Sequence, residues 1–290
     1  MNLLSKNRVK LSIAAVFITG LFFNLSPASA QELLKNTLGE IYGKIEKIDK
    51  IQENQILSNE EKDIQETEAR KDALLKILEI TISENNDLKD KLESFNNLPE
   101  NEQKIKEALI KSLEENLSAY QVIENRLAEI ETAIQAKQLA SDFKNWRALV
   151  YNPKTEKITA FISVLRQKEA VETAKGRLQN IEKNIEKIET AKIFKKGDSE
   201  EILKKAADGI ENAEIMNDKA EKMIVEILNQ ELFQKNGFLN KLAIKNIFAK
   251  EKTTPTAVRQ YVGDSLKQLQ ITYQIFLDIS RLAKEKIGLK

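Results

Sequence analysis

The feature that most constrains this chain is an apolar rhythm of threes and fours, sustained over long stretches between few breaks. Leu34, Leu38, Ile41, Ile45 and Ile48 alternate spacings of four and three, the signature of one helix face. Ser58 and Glu61 then have capping-box spacing, in which a hydroxyl accepts from a free backbone N–H and a carboxylate reaches back. They predict the start of a second helix, running to about Phe95 with Leu74, Leu78, Ile82, Leu88 and Leu92 inward. Asn96-Asn97-Leu98-Pro99 breaks it, because proline lacks the N–H that a helix interior needs.

The third pattern is longer. Leu113, Leu117, Tyr120, Ile123, Leu127, Ile130 and Ile134 predict one helix from about Glu100 to Tyr151. At ~1.5 Å rise per residue such a helix would be about 75 Å long. Asn152-Pro153 is expected to end it and to start the next, as N-cap and first helical residue. Val171, Ala174, Leu178, Ile181, Ile185 and Ile188 form a heptad seam in the fourth helix. Isoleucine at both seam positions favours more than two strands in parallel assemblies, although antiparallel neighbours within one chain could fill the same seam. Gly197-Asp198-Ser199 stops this helix, and Asp198 with Glu201 has the spacing to cap a fifth, to about Lys235. Thr254-Pro255 opens the last, with Val262, Leu266, Leu269, Tyr273 and Phe276 in its seam; Ser280 interrupts it, and Ala283 and Ile287 resume it.

No segment after the leader reads clearly as a strand. The expected fold is therefore all-α: elongated antiparallel hairpins, a coiled-coil-like bundle of about six or seven helices, with no significant sheet. The expected divisions are a leader over 1–30, N-terminal helices over 31–98, a long hairpin over 99–196 turning at 151–153, and C-terminal helices over 197–290.

The leader is read from residue order. Lys6, Arg8 and Lys10 precede an apolar run from Leu11 to Phe23, and the sequence Ala28-Ser29-Ala30 follows. This is the tripartite pattern of a secretory signal peptide, cut after Ala30, where small side chains at positions 28 and 30 fit the peptidase. The run is shorter than the roughly 20 residues of a bilayer span. The chain is thus expected to be exported, to the periplasm, the cell surface or the medium. A lipid-anchored form would need a cysteine, and the chain has none.

Composition then narrows chemistry. Cysteine and histidine are both absent, which removes disulfides, thiolate nucleophiles, Ser-His-Asp arrangements and zinc sites built on sulfur or imidazole. Removing the leader takes away three basic residues and no acid, leaving 43 basic against 45 acidic residues. So balanced a charge gives no field to gather nucleic acid. Paired carboxylates such as Glu60-Glu61, Glu114-Glu115 and Glu200-Glu201 fit solvated helix faces better than a catalytic or metal site. No enzyme activity, metal or cofactor is expected.

Two segments stand out. Residues 234–252 carry five lysines against one acid, with Phe238, Leu242 and Phe248 able to gather on one side, and Lys241 and Lys245 beside them. This is either a basic helix for an anionic membrane surface or a connecting helix packed on the bundle. Residues 143–161 hold Phe143, the only tryptophan Trp146, Tyr151 and Phe161. With Leu139, Phe143, Trp146 and Val150 at helical spacing, they either plug the end of a hairpin or form an exposed interaction tip. A third reading makes Ala148–Tyr151 and Ile158–Val164 a small strand hairpin.

The order Trp146-Arg147, Tyr151-Asn152-Pro153, Lys157-Ile158, Phe161, Ala174, Arg177-Leu178 resembles a family of uncharacterised exported helical proteins from small-genome uncultured bacteria. The resemblance covers about residues 143–188 and implies no activity. The function expected is a non-catalytic scaffold, spacer or interaction module of the cell envelope, meeting a protein partner or a second copy through its helix seams. The alternatives are a membrane-surface protein and an envelope chaperone holding unfolded clients.

Overall fold

The computed structural model describes residues 27–190, 199–233 and 254–287. Among them the secondary structure is helical throughout, with no strand. The elements are α1 (Pro27–Glu53), α2 (Asn59–Glu93), α3 (Glu100–Ala128), α4 (Ala133–Trp146), a π-helical turn (Arg147–Tyr151), α5 (Asn152–Thr190), α6 (Glu200–Phe233) and α7 (Pro255–Ile287). The all-α reading holds, with seven α-helices among the described residues. Two compact units divide the chain, Met1–Thr159 and Ala160–Lys290.

In the first unit, α1 and α2 run antiparallel, tied by Gln52 to Glu66 at 3.1 Å, by Lys44 to Asp72 and by Lys76 to Glu40. Ser58 caps α2 with both halves of the expected box. The break before Pro99 is made by Asn97, in the left-handed region at φ 57°, and the Lys106 ammonium donates to the Phe95 carbonyl across it. Helix α3 returns antiparallel to α2, and α4 antiparallel to α3, so α2 and α4 run parallel. Ile41, Leu74, Leu78, Tyr120, Leu127, Leu139, Phe143 and Tyr151 fill the core between them.

Two expectations fail here, for one reason each. The single helix from Glu100 to Tyr151 is interrupted at residues 129–132. Thr132 takes extended geometry and forms a capping box with Gln135, and Lys71 donates to the Ile130 carbonyl at 3.1 Å. This is the S/T-x-x-E/Q pattern that also starts α2. Past the break the apolar register is lost, and Ile134 is 76% exposed.

The hairpin turn expected at 151–153 does not occur. Asn152 is helical, at φ −60° and ψ −46°, and the chain passes from α4 through the π-turn into α5. A proline ring clashes with the carbonyl four residues back. A widened turn just before it relieves that clash, and a π-bulge is the usual form of such a turn. Here the Asn152 N–H bonds to the Arg147 carbonyl, five residues back. The strand-hairpin reading of the same segment is excluded as well, since both of its halves are helical.

In the second unit, the later part of α5 packs with α6 and α7. Lys168 to Glu221 and Lys175 to Glu214 set α5 and α6 antiparallel. Ser265 donates to the Ala213 carbonyl at 2.6 Å and Thr272 meets Gly209, which sets α6 and α7 antiparallel. Val171, Ala174, Leu178 and Ile185 are buried as the heptad predicts. In the seam of α7, Leu269 and Phe276 are inside as expected, but the alternate positions fall one residue earlier: Ser265, Thr272 and Ile279 are buried, Val258 precedes them, and Leu266 is 46% exposed. Ser265 and Thr272 occupy positions that an apolar count passes over, while Ile279 closes the gap assigned to Ser280. Gly209 of α6 explains one of them. It lies so close to Thr272 that a Cβ there would collide with the threonine hydroxyl.

Candidate functional site

The π-turn and its surroundings are where the first unit concentrates unusual chemistry. Along α4 and the turn, Leu139, Phe143, Arg147, Tyr151 and Thr155 are buried, each four residues after the last. In an α-helix of 3.6 residues per turn, each four-residue step drifts about 40° around the axis. A π-turn, with one residue more per turn, absorbs the drift and keeps these residues on one face. That face carries an arginine inside, with its side chain only 4% exposed.

Helix α2 supplies its partners. Thr81, Glu84 and Asn85 lie mid-helix on the core face, between Leu78 and Leu88. The Arg147 guanidinium donates to the Thr81 hydroxyl and lies 3.4 Å from Glu84 Oε2. The Tyr151 hydroxyl donates to the same carboxylate oxygen at 3.1 Å, and Arg147 sits over the Tyr151 ring at 5.0 Å. One layer on, Asn116 of α3 donates to Asn85 Oδ1 at 3.0 Å, Tyr120 approaches the same oxygen at 3.4 Å, and Lys154 reaches Asn116 Oδ1 at 3.1 Å. Asn85 in turn donates to the Leu113 carbonyl.

Burial pushes the Glu84 carboxyl above its ordinary value of 4.5, and Arg147 and Tyr151 offset that only in part. Burial likewise raises the Tyr120 and Tyr151 phenols, so both are protonated donors at neutral pH. The aromatics close the cluster. Trp146 stacks on Tyr151 at 5.5 Å and on Phe143 at 6.0 Å, and meets Tyr120 edge-on at 5.7 Å. These polar groups are directed at one another, which suits holding a conformation rather than receiving a substrate.

Of the residues singled out by sequence, Phe143, Trp146 and Tyr151 are therefore brought together, with Tyr120 as an unforeseen fourth. Phe161 belongs to the second unit and is fully buried there. Val150, expected inside with Trp146, is 46% exposed, and its neighbour Leu149 is 78% exposed. The π-turn moves the inward position on by one residue, from 150 to 151, so Tyr151 points in, while Arg147 continues the inward register of α4 beside Trp146. Ala28 and Ala30 fall at the start of α1. Phe238, Lys241, Leu242, Lys245 and Phe248 lie outside the described residues.

No family model, curated protein or solved structure matches the chain.

Two open grooves lie elsewhere among the described residues. One runs along α1 and α2 past Glu40, Lys44, Asp72 and Lys76; the other lies on α2 past Ile82, Asn86, Asp87 and Asp90. Among the described residues, no group of three or more acids is placed to hold a metal ion, and no helix is long and apolar enough to cross a membrane.

Thr81, Glu84, Asn85, Asn116 and Arg147 were not foreseen as site residues. A signal was present: Leu74, Leu78, Thr81, Asn85, Leu88 and Leu92 keep the four-three rhythm without a fault once polar residues are allowed in it. Asn116 does the same between Leu113 and Tyr120.

Proposed function

We propose that the mature chain is an exported, non-catalytic helical scaffold of the bacterial cell envelope that presents helix faces to a protein partner. The observation that carries this is the display of Leu149 and Val150 on the outside of a turn whose inside is locked by an ion pair and four aromatic rings. Large apolar side chains held outward on a rigid base are what a recognition surface needs, since little ordering entropy remains to be lost on binding. The leader pattern supports export, and the balanced charge of the remaining chain favours apolar recognition over electrostatic capture.

The test is capture of partners by the tagged mature protein from its native envelope, set beside a Leu149→Asp, Val150→Asp variant of equal helicity. The proposal expects a partner that the variant loses. An identical partner set for both proteins sinks it. Export is checked separately by N-terminal sequencing of the released chain, which should begin at Gln31.

A further inference from the structure

The inner face of α7 is built from two columns of residues, each repeating at seven. Val262, Leu269, Phe276 and Ala283 form one, and Val258, Ser265, Thr272 and Ile279 form the other. A slide of α7 by seven residues along α5 and α6, about 10 Å, keeps both columns inward. In the first column it exchanges one apolar residue for another, so burial there does not define the alignment. The connection from Phe233 to Pro255 is long enough in sequence to allow such a slide. The second column breaks the equivalence, because two hydroxyls stand between two aliphatic residues and all four are buried.

Two contacts depend on where those hydroxyls stand. Ser265 accepts from Gln167 Nε2 at 2.9 Å and donates to the Ala213 carbonyl at 2.6 Å, so it ties α7 to both neighbours at one level. Slid one way, α7 would bring Val258 to that level. The buried Gln167 amide would lose its acceptor, and a methyl would press on the Ala213 carbonyl. The second contact lies one heptad on, where Thr272 fills the space beside Gly209 so fully that an added Cβ would collide with its hydroxyl. Slid the other way, α7 would bring Ile279 to that place, and isoleucine needs more room than threonine. Each contact tolerates the slide that the other forbids. Thr272 would carry a hydroxyl to the level of Gln167, and Ser265 is smaller than the residue it would replace beside Gly209.

We propose that these two contacts form an alignment lock for the second unit, each blocking one direction of a heptad slip that the apolar seam alone permits. A polar residue within an apolar seam plays this part in coiled coils, where it fixes register at a cost in stability. The lock sets which part of α7 lies beside each part of α6. Its use in presenting a face to a partner rests on the function proposed above; the lock itself does not.

The chain has no cysteine, so introduced pairs report the alignment by disulfide formation. Lys219 lies over the Tyr261 ring at 5.9 Å, which makes Lys219→Cys with Tyr261→Cys the pair for the observed alignment. Asn212 and Glu226 stand one heptad to either side of Lys219 on α6. Joined with Tyr261→Cys, Asn212→Cys reports the slide that brings Val258 to the level of Gln167, and Glu226→Cys reports the opposite slide. In the native background the Lys219→Cys pair should close fastest, by about tenfold or more, since slid forms are minor states.

The decisive variant moves the pattern by a heptad: Val258→Ser, Ser265→Thr and Thr272→Ile together. In the observed alignment it sets isoleucine beside Gly209. Slid by seven residues, it restores serine at Gln167 and threonine beside Gly209. The fast pair should therefore become Asn212→Cys with Tyr261→Cys, while the Glu226→Cys pair stays slow. A fast pair that remains Lys219→Cys overturns the proposal. So does a joint rise of the Asn212→Cys and Glu226→Cys pairs, which reports loosening rather than realignment. If the triple variant unfolds, helical circular dichroism is lost, and Val258→Ser alone decides. It offers Gln167 a second hydroxyl, so the Asn212→Cys pair should close about tenfold faster than in the native background, with Glu226→Cys unchanged. No rise rejects the lock. Neither result depends on whether Leu149 and Val150 bind a partner, so the two ideas can fail separately.

Discussion

Both units interrupt an apolar seam with polar side chains, but they solve the problem differently. In the first, Thr81, Glu84, Asn85, Asn116 and Arg147 form a charged network drawn from three elements and sealed by aromatic rings. In the second, Gln167 donates to Ser265 at 2.9 Å, Ser265 donates to the Ala213 carbonyl, and Thr272 donates to the Gln268 carbonyl of its own helix. The second solution uses small neutral groups and leaves the helices regular. The first carries a full charge inside, and a π-turn follows directly on it. A charge in a core needs a partner placed from another element, whereas a hydroxyl can be satisfied by the nearest carbonyl.

The largest test of this contrast is Arg147→Leu. It leaves Glu84 buried without its cation, and breaking such a pair costs about 3–5 kcal/mol at neutral pH. Trp146, the only tryptophan, lies in the first unit, so its fluorescence in urea follows that unit. The loss should shrink in acid, where Glu84 protonates, and Arg147→Leu with Glu84→Leu should recover most of it. An Arg147→Leu midpoint equal to the native one would remove the distinction between the units.

Ser265→Ala should cost less, about 1–3 kcal/mol, because it strands one amide and one carbonyl rather than a charge. The urea transition followed by circular dichroism should shift while the Trp146 transition stays in place. A third test asks whether close helix approach belongs to the second unit's design. Gly209→Ala should lose about 1 kcal/mol net, as overpacking against Thr272 outweighs the gain in helix propensity. Gly176→Ala and Gly263→Ala have nothing within 4 Å of the added carbon and should each gain about 0.5–1 kcal/mol. Equal signs for the three would break the argument.

The smallest effect is a difference in pH response between two glutamates on α2. They are eighteen residues apart, about five turns, and so share a face. For Glu66, burial acts upward but Lys137, Arg70 and Gln52 outweigh it, and its carboxyl lies below 4.5. Its contribution is present above 4.5 and is lost as pH falls through the lowered value. Glu84 behaves oppositely: its value is raised, so its contribution is complete below 4.5 and is lost as pH rises through that raised value. Urea midpoints by Trp146 fluorescence should show Glu66→Gln flattening the acid limb and Glu84→Gln flattening the decline toward neutral pH. The reverse assignment would contradict the geometry of both sites.

The helix content, the Ser58 cap, the break at Asn97 and the inward leucines of α2 were legible because each is decided by neighbours in sequence. The break at Thr132 was equally local, and its capping box is visible in the sequence once sought. Pro153 was misread because its effect depends on what surrounds it. Alone it signals a stop, but a widened turn held by α2 and α3 lets the helix continue.

What the sequence determined by itself is therefore the class of fold and most seam positions, since periodicity and capping act over a few residues. Tertiary structure alone decided which polar residues enter the core and which apolar ones stay outside. Arg147 can be buried because Glu84, sixty-three residues away, faces it across the bundle, and Val150 is outside because the π-turn brings Tyr151 in to the same carboxylate. Periodicity cannot register a long-range charge pair that outweighs it.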